Sequence, residues 1–211
     1  MAELAARDLH YSRGGRTILE GVSLEVSTGE FVALAGPSGS GKTSLLLVLA
    51  GLLPADSGVV YLNGLAVDEW SSMMRASIGV VLQTYRLMTY LSAEENVALP
   101  LQARHVPRQE IEEAVTSALQ LVGLGAARHR LVGELSGGQK QRVAVARAIA
   151  GEPAVIIADE PTSELDHENR DRIIDLLCAK SASGSAVVVA SHDPFVVSAS
   201  SRALRLHAGR I

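Results

Sequence analysis

The sequence predicts an α/β fold in which a parallel core sheet is covered by helices. From residue 136 onward, helix and strand patterns alternate along the chain, and this alternation is typical of a parallel sheet with crossover helices. Hydrophobic residues make up 47% of the 211 residues, whereas aromatic residues make up only 3%. We therefore expect an aliphatic, alanine-rich core, as in sheets that are buried on both faces.

The N-terminal part of the chain predicts a second, antiparallel sheet. Residues 22–26 alternate apolar and polar side chains, and residues 13–16 have the composition of a hairpin turn. Residues 57–63 form another strand pattern that is closed by Asn63-Gly64, a pair that favours a tight turn. These patterns predict an N-terminal antiparallel β subdomain beside the parallel core.

The middle of the chain predicts an inserted α-helical subdomain. A buried strand is expected at 78–83, and a helical stretch runs from about 93 to 123. Because Pro100 and Pro107 interrupt this stretch, we expect several helices rather than one. The later alternation predicts a helix at 139–150, a strand at 154–158, a helix at 167–182, a strand at 186–190 and a final strand at 203–206.

Length, charge and cysteine content narrow the class of protein. The length of 211 residues suits one α/β domain, and the net charge of −4 without a basic block gives no sign of a nucleic-acid partner. The longest apolar run, residues 45–53, is far shorter than the ~18 residues of a membrane span. Charged residues break up the N-terminus, and Cys178 is the single cysteine. We therefore expect a cytoplasmic protein without a disulfide.

Residues 36–43 spell G-P-S-G-S-G-K-T and fit the phosphate-binding pattern G-x-x-x-x-G-K-[ST]. The apolar strand pattern 31–35 precedes them and a helix pattern follows, which disfavours a chance match. Lys42 is expected to reach the β- and γ-phosphates, and the Thr43 hydroxyl to ligate Mg²⁺. The sequence therefore predicts binding of a nucleoside triphosphate through Gly36, Pro37, Ser38, Gly39, Ser40, Gly41, Lys42, Thr43 and Ser44.

Two adjacent carboxylates end the next strong strand pattern. Four apolar residues at 155–158 are followed by Asp159 and Glu160. In an open parallel sheet, ligands bind at the carboxyl ends of the strands. Asp159 is then positioned to hold Mg²⁺, and Glu160 to orient or deprotonate the attacking water. A solvated acidic turn is the alternative for such a pair, and the phosphate loop disfavours it.

The segment Leu135-Ser136-Gly137-Gly138-Gln139 opens a helix and forms a second expected anion site. It resembles the signature sequence of ABC ATPases, and other pieces of that family follow the expected order. Gln83 resembles the Q-loop glutamine, residues 163–166 the D-loop and His192 the switch histidine. Tyr11, 25 residues ahead of Gly36, resembles the aromatic residue that stacks on adenine.

This resemblance implies a head-to-tail homodimer in which each signature caps the ATP held by the other subunit. It implies catalytic roles for Glu160, His192 and Lys42, and a metal site of Thr43, Gln83 and Asp159. The other residues that it implies at the nucleotide are Tyr11, Ser136, Gly137, Gly138, Gln139 and Asp166. A surface aromatic on a strand is the alternative for Tyr11, and a turn cap is the alternative for His192.

The resemblance also implies a domain division and a subfamily. The whole chain, 1–211, is expected to be one ABC ATPase domain. Residues 1–83 and 155–211 form its RecA-like core with the β subdomain, and about 84–154 form its helical subdomain. Residues 86–101 are similar to the same stretch in the macrolide-export, lipoprotein-release and heme-export ATPases. Cell-division ATPases are close too.

The implied partner is a separate integral membrane permease, so the chain is expected to lie peripherally on the inner face of the cell membrane. The apolar residues Tyr85, Leu87, Met88 and Tyr90 are expected to contact that permease, or alternatively to pack inside the helical subdomain. Glu164 stands where the family usually has alanine. A soluble ABC-type ATPase of translation or DNA repair and a nucleotide kinase are alternative functions. The cargo is determined by the partner, so the sequence does not identify it.

Overall fold

The computed structural model describes residues 2–70, 74 and 76–211, and places them in two β-sheets with surrounding helices. The strands are β1 (Ala2–Arg13), β2 (Arg16–Ser27), β3 (Phe31–Ala35), β4 (Ser57–Leu62), β5 (Leu65–Ala66), β6 (Ile78–Val81), β7 (Val155–Asp159), β8 (Ala186–Ala190) and β9 (Arg202–Arg205). The α-helices are α1 (Lys42–Leu49), α2 (Ala93–Ala103), α3 (Arg108–Leu121), α4 (Gly137–Ile149), α5 (His167–Ala182) and α6 (Pro194–Ala199). Single 3₁₀ turns span Val67–Glu69, Gly125–Ala127 and Val132–Glu134.

The first sheet is antiparallel, with strand order β2-β1-β4-β5. β1 and β2 form a long hairpin that closes at the pair Arg13 and Arg16. The turn between β4 and β5 has a positive φ at Asn63 (51°) and at Gly64 (79°), as a two-residue hairpin turn requires. The prediction of an N-terminal antiparallel sheet is therefore confirmed.

The second sheet is parallel, with strand order β6-β7-β8-β3-β9. All residues of β7 and β8 are buried, because helices cover one face and the first sheet together with α1 covers the other. Parallel strands bring their carboxyl ends to a common edge. The segments that follow β3, β6, β7 and β8 therefore emerge together.

Alternate residues of the central strands serve two different hydrophobic cores. Ile156 and Ala158 of β7 pack into the core that contains α2 to α5. Val155 and Ile157 pack into the core that contains α1 and the antiparallel sheet. This alternation follows from the two-residue period of a strand, and it explains why β8 and the first four residues of β7 are apolar at every position.

The helical region consists of several helices, as predicted, but only one of its two prolines interrupts a helix. Pro107 is the N-cap of α3, as an interruption predicts, but Pro100 lies inside α2 and does not end it. An interior proline costs about 3 kcal/mol of helix stability. A complete capping box of Ser92 and Glu95 and the buried apolar face of α2 offset that cost.

Among the described helices, none has both the length and the apolar character needed to cross a membrane. Cys178 lies on α5, partly buried against the helical core, with its thiol free. Burial, followed by the charge of Asp175, raises the pKa of this thiol. Cys178 therefore behaves as a small core residue rather than as a reactive thiol.

Candidate functional site

The phosphate-binding loop lies between β3 and α1 and requires glycine at two positions. Gly36 has φ 155°, and a Cβ atom there would lie 2.2 Å from the carbonyl oxygen of Leu206. Gly41, the N-cap of α1, has φ 105°, and a Cβ atom there would lie 2.9 Å from the carbonyl oxygen of Ile18. Any side chain at either position would displace backbone, so the loop depends on glycine.

Polar groups of this loop point into it. The Lys42 ammonium donates hydrogen bonds to the carbonyl oxygens of Gly36 (2.8 Å) and Pro37 (3.1 Å). Ser40 is buried, and its hydroxyl has no hydrogen-bond partner among residues 2–70, 74 and 76–211. A buried hydroxyl without a partner is energetically costly, so Ser40 Oγ is free to bond a group that enters the loop.

Thr43 and Asp159 meet at the carboxyl ends of β3 and β7. The Thr43 hydroxyl donates a 2.7 Å hydrogen bond to Asp159 Oδ2, and Asp159 is only 3% exposed. Burial raises the pKa of Asp159, the hydrogen bond from Thr43 lowers it, and the charge of Glu160 raises it again. A nearby cation would therefore stabilise the ionised form of this carboxyl.

The carboxylate of Glu160 is held by two residues that follow β8. Ser191 donates a hydrogen bond to Glu160 Oε2 (3.0 Å), and His192 Nδ1 lies 2.8 Å from Glu160 Oε1. The imidazole of His192 is 78% exposed, whereas Glu160 is 13% exposed. Ser191 was not among the predicted residues. Its signal is its position as the first polar residue after a wholly buried strand beside β7.

Gln83 emerges at the same edge of the sheet. Val81 of β6 pairs with Ala158 of β7. Gln83 and Glu160 each lie two residues beyond this pair, in the segments that follow the two strands. Gln83 is exposed. The parallel sheet therefore brings Gln83 to the same edge as Glu160.

Tyr11 lies on β1, partly buried, opposite Leu19 of β2. Leu19 in turn lies against the phosphate loop, since its Cδ2 atom would be 3.2 Å from a Cβ atom on Gly41. The antiparallel sheet therefore brings Tyr11 to the neighbourhood of the phosphate loop.

The predicted signature forms the N-terminus of α4. Ser136 and Gln139 form a capping box, with Gln139 N donating to Ser136 Oγ (3.3 Å) and Ser136 N donating to Gln139 Oε1 (3.0 Å). Gly137 and Gly138 lie directly against Glu164. Cβ atoms on the two glycines would be 1.8 Å from Glu164 Oε2 and 2.8 Å from the Glu164 carbonyl oxygen, respectively.

Asp166 is the N-cap of α5, where it accepts a 2.9 Å hydrogen bond from Asn169 N. That backbone hydrogen bond, with a second one from the Asn169 side chain, lowers the pKa of the exposed Asp166 carboxyl. In the described chain, the hydrogen bonds of Ser136, Gln139 and Asp166 stay within their own helix ends. Among the described residues, none of these hydrogen bonds reaches the phosphate loop.

The described residues contain no group of three or more His, Cys, Asp or Glu side chains arranged to hold a metal ion. The predicted metal ligands are instead a hydroxyl, an amide and one carboxylate, and such a set leaves positions for phosphate oxygens.

Comparison with known proteins shows the family of this chain. The chain matches the ABC transporter family over residues 19–163. It is 39% identical to the lipoprotein-releasing system ATP-binding protein LolD of Aquifex aeolicus, over 100% of this chain and 97% of that protein. It is 44% identical to the spermidine/putrescine import ATP-binding protein PotA of Legionella pneumophila, over 78% of this chain and 45% of that protein.

A solved structure extends the likeness to the whole fold. The ATP-binding cassette MJ0796, in a dimeric post-hydrolysis state bound to ADP and Pi, superposes with a TM-score of 0.89. The sequences are 32% identical, and the match covers 99% of this chain and 96% of that one. The predicted fold class is confirmed. The chain therefore belongs to the ABC transporter family, as an ATP-binding cassette ATPase homologous to the LolD lipoprotein-release proteins.

Proposed function

We propose that this chain is the ATP-hydrolysing subunit of a membrane transporter and works as a head-to-tail homodimer on a separately encoded permease. The observation that carries the proposal is the convergence of the Thr43–Asp159 and Glu160–His192 pairs at one edge of the parallel sheet. A phosphate loop lies beside two carboxylates, one bonded by Thr43 and the other by His192. This arrangement suits hydrolysis of a nucleoside triphosphate.

ATP binding is assigned to residues 36–44. The N-terminus of α1 and the loop amides suit an anion. Lys42 exchanges its two carbonyl partners for β- and γ-phosphate oxygens. Tyr11 stacks on the adenine ring, an assignment supported by the contact of its cross-strand partner Leu19 with Gly41.

The residues beside the loop fit Mg²⁺. This ion takes oxygen ligands and binds through few protein groups together with phosphates and waters. The Thr43 hydroxyl and the buried Asp159 carboxylate, 2.7 Å apart, would hold it, with Gln83 at the same edge of the sheet. When bound, Mg²⁺ would neutralise charge on the phosphate oxygens.

For hydrolysis, Glu160 orients a water molecule and accepts its proton. The water oxygen bonds to the γ-phosphorus, and the bond from that phosphorus to ADP breaks, so the products are ADP and phosphate. Ser191 and His192 fix the direction of the Glu160 carboxylate. The exposed side of His192 is available to the γ-phosphate or the water. Lys42 stabilises the charge that develops on the phosphates.

The signature acts in the partner's site. At the N-terminus of α4, Ser136 is exposed and Gly137, Gly138 and Gln139 are partly exposed, and Asp166 lies at the start of the neighbouring helix. In the proposed dimer, these residues cap the ATP bound by the other subunit. The dimeric state of the similar cassette MJ0796 supports this arrangement.

The permease is proposed to dock where the segment after Gln83 meets the helical region. A cavity of about 360 Å³ opens there, lined in part by Leu52, Arg86, Pro100 and Arg104. Tyr85 and Leu87 are partly buried against the helical core, which favours for these two the alternative of packing inside the helical subdomain. Met88 and Tyr90 are 44% and 71% exposed, respectively, and are the apolar side chains that remain available.

We further propose export as the direction of transport, on the basis of the similarity of residues 86–101 to the release and export ATPases. The relatives include both a lipoprotein-release protein and an import protein.

Residues 1–83 and 155–211 serve as the RecA-like core with its β subdomain, and 84–154 as the helical subdomain. The permease holds the chain at the inner face of the membrane.

The test is capture of the tagged chain from detergent-solubilised membranes of its source organism. We expect an integral membrane protein to be recovered with the wild type and lost with the Met88→Asp/Tyr90→Asp double variant. Leu121→Asp is the matched control, because Leu121 on α3 is also 44% exposed. Recovery of no membrane protein would favour a soluble ABC ATPase, and recovery with all three chains would contradict the proposed docking surface.

A further inference from the structure

The backbone of Glu160 has a conformation that is unfavourable for a residue with a side chain. Its φ is 50°, in the left-handed region that glycine and asparagine favour. Such a conformation persists only when the surrounding structure imposes it. The contacts of the Glu160 backbone, together with those of Ser191 and His192 to its side chain, therefore set where its carboxylate points.

The strongest of these contacts comes from Gln141. Its Nε2 donates a 2.7 Å hydrogen bond to the carbonyl oxygen of Glu160. The other bonds to this oxygen come from Ser163, through its N–H (3.3 Å) and its hydroxyl (3.2 Å), and they are longer and local to the same loop. The N–H of Glu160 also donates a 2.9 Å hydrogen bond to the carbonyl oxygen of Ala190 on β8. The Glu160 backbone is therefore held by β8 at its N–H and by α4, through Gln141, at its carbonyl oxygen.

The other end of the Gln141 carboxamide is also used. Gln141 Oε1 accepts a 2.9 Å hydrogen bond from Glu164 N, and Nε2 lies 3.3 Å from Ser163 Oγ. Gln141 is 1% exposed, and buried polar groups that are fully bonded rigidify their surroundings. One carboxamide thus connects α4 to both ends of the segment 160–164.

Gln141 lies one helical turn after Gly137, on the same face of α4. That face is packed against Glu164, because a Cβ atom on Gly137 would lie 1.8 Å from Glu164 Oε2. Gly137 and Gln141 belong to one continuous helix of 13 residues, and helices shift as units in conformational changes. A shift of the predicted signature is therefore passed directly to Gln141.

The same helix also holds the segment after Gln83. Arg147 on α4 donates hydrogen bonds to the carbonyl oxygens of Tyr85 (2.6 Å) and Arg86 (2.7 Å). Burial, then the hydrogen bond and the charge of Glu164, raises the pKa of Tyr85 to about 12. α4 thus contacts both the segment after Gln83 and the segment 160–164.

We infer that Gln141 is a positioning residue for ATP hydrolysis. Its carboxamide holds the left-handed backbone of Glu160, and it links that backbone to the helix whose N-terminus engages the partner's ATP. Engagement of the signature at one site thereby sets the geometry of the general base at the other. This inference depends on the head-to-tail dimer of the proposed function.

The test compares Gln141→Met with Asn96→Leu. Both substitutions replace a buried carboxamide with an apolar group of similar volume, and Asn96 is 0% exposed with bonds to Met88, Leu91 and Ser92. For each variant we would measure ATP affinity, ATP-dependent dimerisation, kcat, KM and the thermal midpoint. Gln141→Asn serves as a second variant if the methionine variant does not fold, because its side chain is too short to reach both Glu160 and Glu164.

We expect the Gln141 variants to lose kcat by roughly 10–100-fold, because misplacing a catalytic group has effects of that size. ATP affinity and dimerisation should stay within about twofold, and Asn96→Leu should keep its kcat even if its thermal midpoint falls. An unchanged kcat in a folded Gln141 variant would overturn the inference. An equal loss of kcat in Asn96→Leu would overturn it too, since it would point to general destabilisation. A wild-type chain that binds ATP without dimerising would contradict the proposed dimer, and this inference with it.

Discussion

At the residue scale, the candidate site depends on how the chain holds the carboxylate of Glu160. Ser191 and His192 bind its two oxygens at 3.0 and 2.8 Å, while its left-handed backbone is fixed by other contacts. A strained residue of this kind costs about 1–3 kcal/mol. The surrounding hydrogen bonds hold that strain in place, so the carboxylate has one direction available.

The first prediction concerns this side chain. Glu160→Gln should keep ATP binding and lower turnover by about 10²–10⁴-fold, because the amide keeps the shape of the side chain but cannot accept the proton. Steady-state hydrolysis and nucleotide binding measured on the same preparation check the two halves separately. We also expect this variant to accumulate as an ATP-bound dimer on a sizing column.

Glu113→Gln is the control for that substitution, because Glu113 is an exposed carboxylate on α3. It should hydrolyse ATP at the wild-type rate. Hydrolysis near the wild-type rate in Glu160→Gln would show that another group is the base.

At the element scale, the N-terminus of α4 already has an anion beside it. The Glu164 carboxylate lies against Gly137, at the positive end of the helix dipole. This contact stabilises α4 within its own subunit. It also puts a negative charge close to where the partner's γ-phosphate is proposed to bind.

The second prediction follows from that charge. Glu164→Gln should strengthen ATP-dependent dimerisation by about two- to fivefold, because removing a charge near a helix end changes the free energy by about 0.3–1 kcal/mol. The monomer should lose the favourable dipole contact, so its thermal midpoint should fall by up to about 4 °C. Sedimentation with ATP, in chains that also carry Glu160→Gln, measures the dimer.

Glu168→Gln provides the comparison, since Glu168 is in the first turn of α5 with its side chain 86% exposed. It should leave the dimer affinity unchanged. A Glu164→Gln chain that dimerises as the wild type does, or less tightly, would mean that this carboxylate does not oppose the incoming phosphate.

At the scale of the whole molecule, the parallel sheet brings together only part of the residues that the proposed function requires. The strand order brings the phosphate loop, Asp159, Glu160 and His192 to one edge. The predicted signature begins α4, on the side of the helical core, and the hydrogen bonds of Ser136 and Gln139 are internal to that helix end. A second chain is what the proposed function requires to bring the two surfaces together.

The third prediction tests that requirement. Lys42→Ala should remove the phosphate loop's charge, and Ser136→Arg should block the signature, so each homodimer should lose most of its hydrolysis. Mixing the two variants should form heterodimers with one intact composite site, and part of the activity should return. ATP hydrolysis measured against the mixing ratio gives the result.

Recovery should be greatest at equal amounts of the two chains, because heterodimers are then most abundant. Ser136→Arg chains that hydrolyse ATP by themselves at the wild-type rate would refute the action of the signature in the partner's site.

Much of this protein could be predicted from its sequence, because the relevant signals are local. The phosphate loop needs glycines, a lysine and a threonine in a fixed order. The apolar runs that form β3, β7 and β8 have no polar face, so they predict strands of a sheet that is buried on both faces. The hairpin turn at Asn63-Gly64 likewise follows from backbone preference alone.

The rest was decided by contacts between distant segments. Pro100 stays inside α2 because the buried face of that helix outweighs the lost hydrogen bond. Leu87 packs into the core, whereas Met88 beside it is exposed. Ser191 and Gln141 form hydrogen bonds with Glu160 although they are 31 and 19 residues away from it in the sequence. Local sequence specifies backbone preference and burial. Which polar groups share a hydrogen bond depends on strand order and helix packing, and only the tertiary structure determines those.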